Sequence, residues 1–306
     1  MKKLALLNGF VQDLNSKENL LISQGTIQGI GYIPDDEDST KIELENHIIL
    51  NDTISIGPLL KWRKKNNFLA YINTHGLNHA LVLINENEID NIGTYCIPIL
   101  NCINKNLNQI NFEKLIHKGL KGLYGVQFDN PNIDECLKIA KAYNIPLLID
   151  NQGSELLYIL QQNQKINSQL AIVLNDTELS LNLIENYLTE KIFISIPASL
   201  LKNKEEKIKV LNLFKKNTIH HIYNNCGKEP FITFVINNLI KDFSLNEILN
   251  QFNNVHKLFN EKKNISLTQE AKLTIIEKKS DRYKLKYMIC NKQLWRHNNN
   301  LKVSIP

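Results

Sequence analysis

Short apolar runs separated by turn residues fill the N-terminal part of the chain. Residues 4–7 are apolar and lead into Asn8-Gly9, a pair that accepts the positive φ of a tight turn. The sequence therefore predicts a hairpin at that pair. The runs 20–22 and 27–30 repeat the pattern on either side of Gly25. This spacing indicates a sheet of short strands.

The C-terminal part shows the same kind of pattern. Residues 272–276 (KLTII) are typical of a strand, and residues 283–289 alternate large apolar side chains with others in a period of two. A further short run, 293–295, follows a turn at Asn291. We expect the two β-rich ends to pair into one small composite β-sandwich domain, made of residues 1–50 plus 265–306.

The middle of the chain, residues 51–264, alternates apolar strands with helical patterns. Apolar side chains recur at helical spacing over residues 133–143, while 145–149 and 192–196 are continuous apolar runs. Strands and helices that alternate in this way predict a parallel sheet covered on both faces. About eight such units would close a (β/α)8 TIM-like barrel, whose active site lies at the C-terminal ends of the strands.

Composition narrows the class of protein. A chain of 306 residues with 43% hydrophobic and 22% charged residues is typical of a soluble globular protein. Five cysteines without a CxxC pair favour free thiols in a reducing compartment. The longest apolar stretches are too short to span a membrane. We expect a cytoplasmic protein that does not bind a membrane.

The formal net charge of +5 is mild, and its one compact cluster lies in residues 61–65. We interpret that cluster as a solvated face. Because neither an aromatic platform for single strands nor zinc-finger spacing accompanies it, we expect no nucleic-acid partner.

Several segments resemble, in the same order, the class I dihydroorotases of the cyclic amidohydrolase superfamily. Residues 6–33 (LLNGFVQDLNSKENLLISQGTIQGIGYI) are similar to the opening of these enzymes. Residues 137–149 (LKIAKAYNIPLLI) are similar to a helix and strand that end in a metal-binding histidine, and residues 259–277 to the return to the β domain. The resemblance implies a barrel of the amidohydrolase type and hydrolysis of cyclic amides. It also implies catalytic zinc, held by imidazoles and carboxylates at strand ends.

The positions that carry this chemistry in the family hold other residues here. The family motif Pro-Gly-Phe-Ile-Asp-Leu-His-x-His-Leu-Arg places its two metal-binding histidines at Gly57 and Leu59, and two later histidines fall at Asp150 and Leu174. The proton-shuttling aspartate falls at Asn225, whose amide has no titratable proton near neutral pH. We therefore expect neither a catalytic residue nor a bound metal.

Some other positions keep a trace of the family's site. Lys61 falls at the arginine that grips the substrate carboxylate, and Asn85 and Asn87 lie in a segment that resembles the loop bonded to dihydroorotate. We interpret these three as a vestigial substrate-binding site, and Asp129 as a possible remnant of the metal site. A rebuilt site for a hard cation remains an alternative. Its ligands would be Asp129, Asp150, Asp176 and Glu229.

Two pairs of histidines need a separate interpretation. His75 and His79 have helical metal-ligand spacing, but Gly76 interrupts a helix and no third ligand is near. We expect a surface or turn role for both. The pair at 220–221 is adjacent in a predicted strand, so the two side chains point to opposite faces.

The resemblance leads to two main hypotheses. The first is a catalytically inactive dihydroorotase homologue, without a cofactor, that acts as a structural or assembly subunit for aspartate carbamoyltransferase in de novo pyrimidine biosynthesis. Its partner would be the catalytic chain of that transferase, in a hetero-oligomer. The alternative is an active dihydroorotase or other cyclic amidohydrolase, which would cleave a cyclic amide C–N bond at a rebuilt zinc site. A sensor that binds a small molecule in the vestigial pocket is a third possibility.

Overall fold

The structure is a computed structural model. It describes residues 3–34, 38–61, 71–125, 132–150, 155–174, 186–187, 189–216, 220–223, 230–259, 264–290, 292–297 and 301–304.

Strands from both ends of the chain form one nine-stranded sheet. Its order is β17-β16-β15-β14-β5-β1-β2-β3, and β4 pairs with β1 off this path. Because β5 and β14 pair side by side in antiparallel orientation, the two ends meet in the middle of the sheet. The predicted pairing of the termini is therefore confirmed. The strands are β1 (Lys3–Val11), β2 (Ser16–Ser23), β3 (Thr26–Ile30), β4 (Ser39–Glu43), β5 (His47–Asn51), β14 (Leu273–Lys279), β15 (Arg282–Cys290), β16 (Gln293–Arg296) and β17 (Leu301–Ser304).

The predicted hairpin at Asn8-Gly9 is wrong. Asn8 does have a positive φ of 60°, but it lies inside β1, where the register against β2 shifts between Leu6 and Gly9. The Asn-Gly pair therefore makes a bulge, which bends a strand without ending it. A two-residue hairpin instead joins β2 to β3 at Gln24-Gly25, where both φ angles are positive, 53° and 76°.

The middle of the chain forms the predicted barrel of parallel strands. Eight strands pair in chain order, and β13 lies beside β6, so that the sheet nearly closes. Between the first and the seventh of these strands, the hydroxyl of Ser195 donates a hydrogen bond to the carbonyl oxygen of Ile56 at 2.6 Å. The strands are β6 (Ile54–Lys61), β7 (His79–Ile84), β8 (Cys96–Asn101), β9 (Gly122–Tyr124), β10 (Leu147–Asp150), β11 (Leu170–Val173), β12 (Ile192–Pro197) and β13 (His220–Tyr223).

In the described part of the chain, helices lie on the outside of the barrel after β8, β9, β10, β12 and β13. The sequence pattern did not predict the helix that follows β10, whose apolar positions are interrupted by glutamines. The helices with described bounds are Phe112–His117, Ile133–Ala142, Glu155–Ile166, Lys204–Lys216, Phe231–Leu239 and Leu245–Leu258. Among the described residues, none of the helices is both long and apolar enough to cross a membrane.

Successive residues of the barrel strands belong to two different cores where their side chains are described. In β10, Leu148 packs into the barrel interior, while Leu147 and Ile149 pack against the helices. This follows from the two-residue period of a strand, since neighbouring side chains point to opposite faces. The continuous apolar runs of the sequence are therefore strands that are buried on both faces.

Candidate functional site at the carboxyl ends of the barrel strands

Tyr124 and Asp150 meet at the carboxyl ends of two adjacent barrel strands. Tyr124 is the last residue of β9, and Asp150 is the last residue of β10. The hydroxyl of Tyr124 donates a hydrogen bond to Oδ2 of Asp150 at 2.6 Å. Asp150 lies two residues after Leu148, so its side chain is on the same face of the strand and points toward the barrel axis.

Burial controls the ionisation of both groups. Desolvation raises the pKa of Asp150, and the hydrogen bond from Tyr124 opposes this by stabilising the carboxylate. Desolvation also raises the pKa of Tyr124, as do the hydrogen bond to Asp150 and its negative charge. The phenol therefore stays protonated at neutral pH and acts as the donor. The Tyr124–Asp150 pair therefore leaves the second carboxylate oxygen of Asp150 for a ligand, and it contains no imidazole.

Leu174 lies on the other side of the barrel wall. It follows β11 directly, is 3% exposed and packs in the core between strands and helices. Its backbone N–H donates to the carbonyl oxygen of Ser195 at 2.9 Å. The neighbouring residue that packs into the barrel interior is Val173. Both positions present hydrocarbon only.

The remaining positions of the predicted site are described in part. Gly57, Leu59 and Lys61 lie in β6, and Lys61 is in register with Leu83 of β7, but their side chains lie outside the described part. Four predicted site residues lie entirely outside the described residues: Asp129, Asp176, Asn225 and Glu229.

Asn85 and Asn87 follow β7 and lie at the same end of the barrel as Asp150. Asn85 precedes a 3-10 turn over Glu86–Asn91, and its backbone N–H donates to the Glu88 carboxylate at 2.6 Å. Both asparagine side chains are exposed. The structure thus gives Asn85 a capping role at this turn.

The described part of this end does not fit the family's zinc site. A catalytic zinc takes three protein ligands, usually imidazoles or carboxylates, and leaves a position for water. No group of three or more His, Cys, Asp or Glu side chains among the described residues could hold a metal ion. Asp150 is a single carboxylate, and one of its oxygens already accepts the Tyr124 hydroxyl.

The expected surface role of His75 and His79 is wrong, since these residues are only 5% and 4% exposed. His79 begins β7, at the opposite end of the barrel from Asp150, and its Nε2 lies 2.5 Å from Oδ1 of Asp52. Nε2 of His256 lies 2.7 Å from the carbonyl oxygen of Asp52. Sequence reasoning missed this group because its members are far apart along the chain.

A second buried polar group at the same end joins the barrel to the nine-stranded sheet. Oδ1 of Asn78 accepts the backbone N–H of Thr53 at 2.9 Å, and its Nδ2 donates to the carbonyl oxygen of Ile289 in β15 at 3.3 Å. Oγ1 of Thr53 lies 3.0 Å from Oγ1 of Thr274 in β14. These contacts fix the amino-terminal ends of the strands on the sheet, and they leave little access for a ligand.

The architecture is that of cyclic amidohydrolases of known structure. No protein-family description matches the chain, and no curated protein matches its sequence. An L-hydantoinase (dihydropyrimidinase) from Arthrobacter aurescens superposes with a TM-score of 0.76 at 10% identity, over 99% of this chain and 98% of that one. A D-hydantoinase (dihydropyrimidinase) from Thermus sp. gives a TM-score of 0.73 at 10% identity, over 98% and 96% of the two chains. A dihydroorotase gives 0.66 at 11% identity, over 99% and 98%. At such low identities these likenesses concern the fold.

Proposed function

We propose that the chain is a non-catalytic relative of the cyclic amidohydrolases. The observation that carries the proposal is the state of Asp150, which falls at a family ligand position. Its carboxylate is engaged by Tyr124 at 2.6 Å, and no cluster of metal-binding side chains surrounds it in the described part of the rim. The sequence adds that Gly57, Leu59 and Leu174 carry no donor atoms in their side chains, and that Asn225 cannot act as a base.

We further propose that the chain serves as a structural or assembly subunit for aspartate carbamoyltransferase. The resemblance to class I dihydroorotases supports this role. A partner protein can bind the outer surface of such a barrel even when the rim has no metal-ligating side chains. Helices form that outer surface, and the rim residues are not part of it. The proposed complex is a hetero-oligomer with the catalytic chain of the transferase.

The second candidate is a hydrolase of cyclic amides. Superposition on two hydantoinases and a dihydroorotase over nearly the whole chain favours this class. Asp150 would then be a described carboxylate placed at the rim to contact a substrate. Its raised pKa, caused by burial, is a property that catalytic carboxyls share with merely buried ones.

Metal analysis and hydrolysis assays on the purified chain distinguish the two candidates. The non-catalytic proposal predicts substoichiometric zinc and no hydrolysis of dihydroorotate, hydantoin or dihydrouracil above the blank. Asp150→Asn should then change neither result. Stoichiometric zinc, with turnover that a chelator removes and added zinc restores, would overturn the non-catalytic proposal.

The assembly role needs its own experiment, in which the chain is co-expressed with the aspartate carbamoyltransferase catalytic chain of the same organism. We expect the two chains to co-elute in gel filtration, and transferase activity to fall when this chain is omitted. Separate elution together with full transferase activity in its absence would refute the role.

A further inference from the structure

Basic side chains are concentrated on the outer face around β15. Two neighbouring clefts lie there, with volumes of about 880 Å³ and about 210 Å³, and Lys284 lines both. Six Lys or Arg and two carboxylates line the pair, whereas the whole chain has 36 basic and 31 acidic residues. We call the six the β15 basic surface: Lys241, Lys279, Arg282, Lys284, Lys286 and Arg296.

Strand geometry explains the concentration of charge. Tyr283 and Leu285 are buried against the barrel's helix-facing core, so Arg282 and Lys284 point to the opposite, solvent-exposed face of the strand. Lys279 stands opposite Arg282 across the β14–β15 pair and is also exposed. The two-residue period thus places positive charges side by side.

Most of this charge is not neutralised locally. Among the described residues, Lys286 forms an ion pair with Glu277 at 3.1 Å. No ion pair within the described part of the chain involves Lys241, Arg282 or Lys284. Like charges in proximity repel each other, which makes an anionic partner favourable.

The two walls of the larger cleft, β15 and the helix Phe231–Leu239, are joined by a side-chain contact. Nδ2 of Asn237, on the helix Phe231–Leu239, donates to the carbonyl oxygen of Tyr283 at 3.0 Å. Oδ1 of the same side chain accepts the backbone N–H of Tyr283 at 2.8 Å. This double hydrogen bond holds the helix against β15, so little ordering of the cleft is required on binding.

We propose that the β15 basic surface binds an acidic, carboxylate-rich segment of a partner protein. An arginine such as Arg282 can form bidentate hydrogen bonds with a carboxylate, and the exposed lysines around Arg282 add point charges. This inference rests on charge and shape, and it does not require the partner to be the transferase.

The chemistry of the surface disfavours two other polyanions. Bases of single-stranded nucleic acid stack on accessible rings. Tyr283 is only 6% exposed, and the Phe234 ring is covered by Lys202, whose Nζ lies 5.3 Å from its centroid. A lipid surface requires apolar anchors beside the charges. The exposed large apolar residues among those described, such as Tyr32 and Leu267, do not line either cleft.

Fluorescence anisotropy with a labelled peptide of alternating Glu and Ser tests the proposal on the intact chain. We expect saturable binding that weakens as salt is added, and no binding of the matched Gln-Ser peptide. The double substitution Arg282→Glu and Lys284→Glu should weaken binding roughly tenfold or more. The matched control is Lys17→Glu with Lys138→Glu, which changes the same charge at exposed lysines elsewhere and should leave affinity within about twofold.

Three results would overturn the proposal, provided that circular dichroism shows every variant folded. The first is equal loss of affinity in the control variant, which would indicate a general charge effect. The second is binding of an oligonucleotide that is tighter than binding of the Glu-Ser peptide and depends on Arg282 and Lys284. The third is binding of anionic phospholipid vesicles that is tighter than binding of the peptide and depends on the same two residues. The assay uses the isolated chain, so its failure is distinguishable from failure of the assembly experiment.

Discussion

Replacing Tyr124 with phenylalanine tests whether the rim is organised around a charged hydrogen bond. The substitution keeps the ring, which packs in the barrel interior and is 8% exposed in the wild type. It removes only the hydroxyl that donates to Asp150 at 2.6 Å. A distance this short is typical of a bond between a hydroxyl and a charged carboxylate.

The structure sets the size of the expected effect. A hydrogen bond to a charged group contributes about 1.5–3 kcal/mol, and a neutral one about 0.5–1.5 kcal/mol. Tyr124→Phe should therefore lower the free energy of unfolding by about 1.5–3 kcal/mol at neutral pH. In an Asp150→Asn background the same substitution should cost only about 0.5–1.5 kcal/mol, which leaves a coupling energy of about 1 kcal/mol.

The pH dependence follows from the raised pKa of Asp150. Because the folded-state pKa lies above the ordinary value of 3.8, the folded protein binds more protons than the unfolded chain between those two values. Stability is therefore greatest below the unfolded value and is lost as pH rises through the folded one. Asp150→Asn removes this loss, so we expect the variant to be at least as stable as the wild type at neutral pH.

Tyr124→Phe changes the same equilibrium in a predictable direction. The Tyr124 hydroxyl stabilises the Asp150 carboxylate, so removal of that hydroxyl raises the pKa of Asp150 further. The penalty of the substitution should therefore be largest at neutral pH and shrink as acid protonates Asp150.

Both the coupling energy and its pH dependence can be measured by urea unfolding at neutral and acid pH, followed by far-UV circular dichroism. The four proteins compared are the wild type, Tyr124→Phe, Asp150→Asn and the double variant. A coupling energy near zero, or a penalty that grows in acid, would refute the charged hydrogen bond.

Two further predictions concern the parts that hold the barrel together. Phe231 is fully buried and packs edge-on against Phe252 with ring centroids 5.7 Å apart. Phe231→Ala should cost about 3–5 kcal/mol in urea unfolding, and an equal cost for Phe231→Leu would contradict the role of cavity volume. Asn78→Ala leaves the Thr53 N–H and the Ile289 carbonyl without this partner, which should cost about 1–3 kcal/mol. Amide hydrogen exchange should then accelerate in both β6 and β15, and acceleration in one alone would contradict a shared link.

The barrel could be predicted from the sequence because its signals are local. Continuous apolar runs such as residues 145–149 alternate with amphipathic segments such as Ile133–Ala142, and the topology of alternating strands and helices leaves few alternatives. The pairing of the chain ends was predictable for a similar reason, since both ends show strand patterns without the helical patterns that separate the strands of the middle.

The bulges could not be predicted, because their cause is tertiary. The period of two over residues 283–289 suggests one buried face, but the register shifts opposite Ile275 and Ile276. Tyr283 therefore packs on the barrel side of the sheet, whereas Tyr287 packs against the sheet's other core. A sequence pattern cannot show which of two cores an apolar residue joins when both faces of the strand are covered.

Asp150 was placed at the rim by the family resemblance and by its position at the end of a buried strand, and the structure has it at that end of β10. Tyr124 was missed because its role depends on the pairing of β9 with β10, in which it stands opposite Leu148. His79 was misplaced for the same reason, since its burial depends on Asp52, which precedes a different strand.

The distribution of polar groups explains how such a barrel can lose rim donors without losing its fold. The buried contacts of Asp52 with His79, and of Thr53 with Asn78, lie where the strands begin and where the nine-stranded sheet is attached. In barrels of this kind the strand beginnings serve stability, and the carboxyl ends serve chemistry. A ligand histidine at the rim would contribute nothing to the contacts at the other end. In the proposed non-catalytic role, Gly57 and Leu174 at the rim would remove the metal chemistry and leave the attachment of barrel to sheet intact.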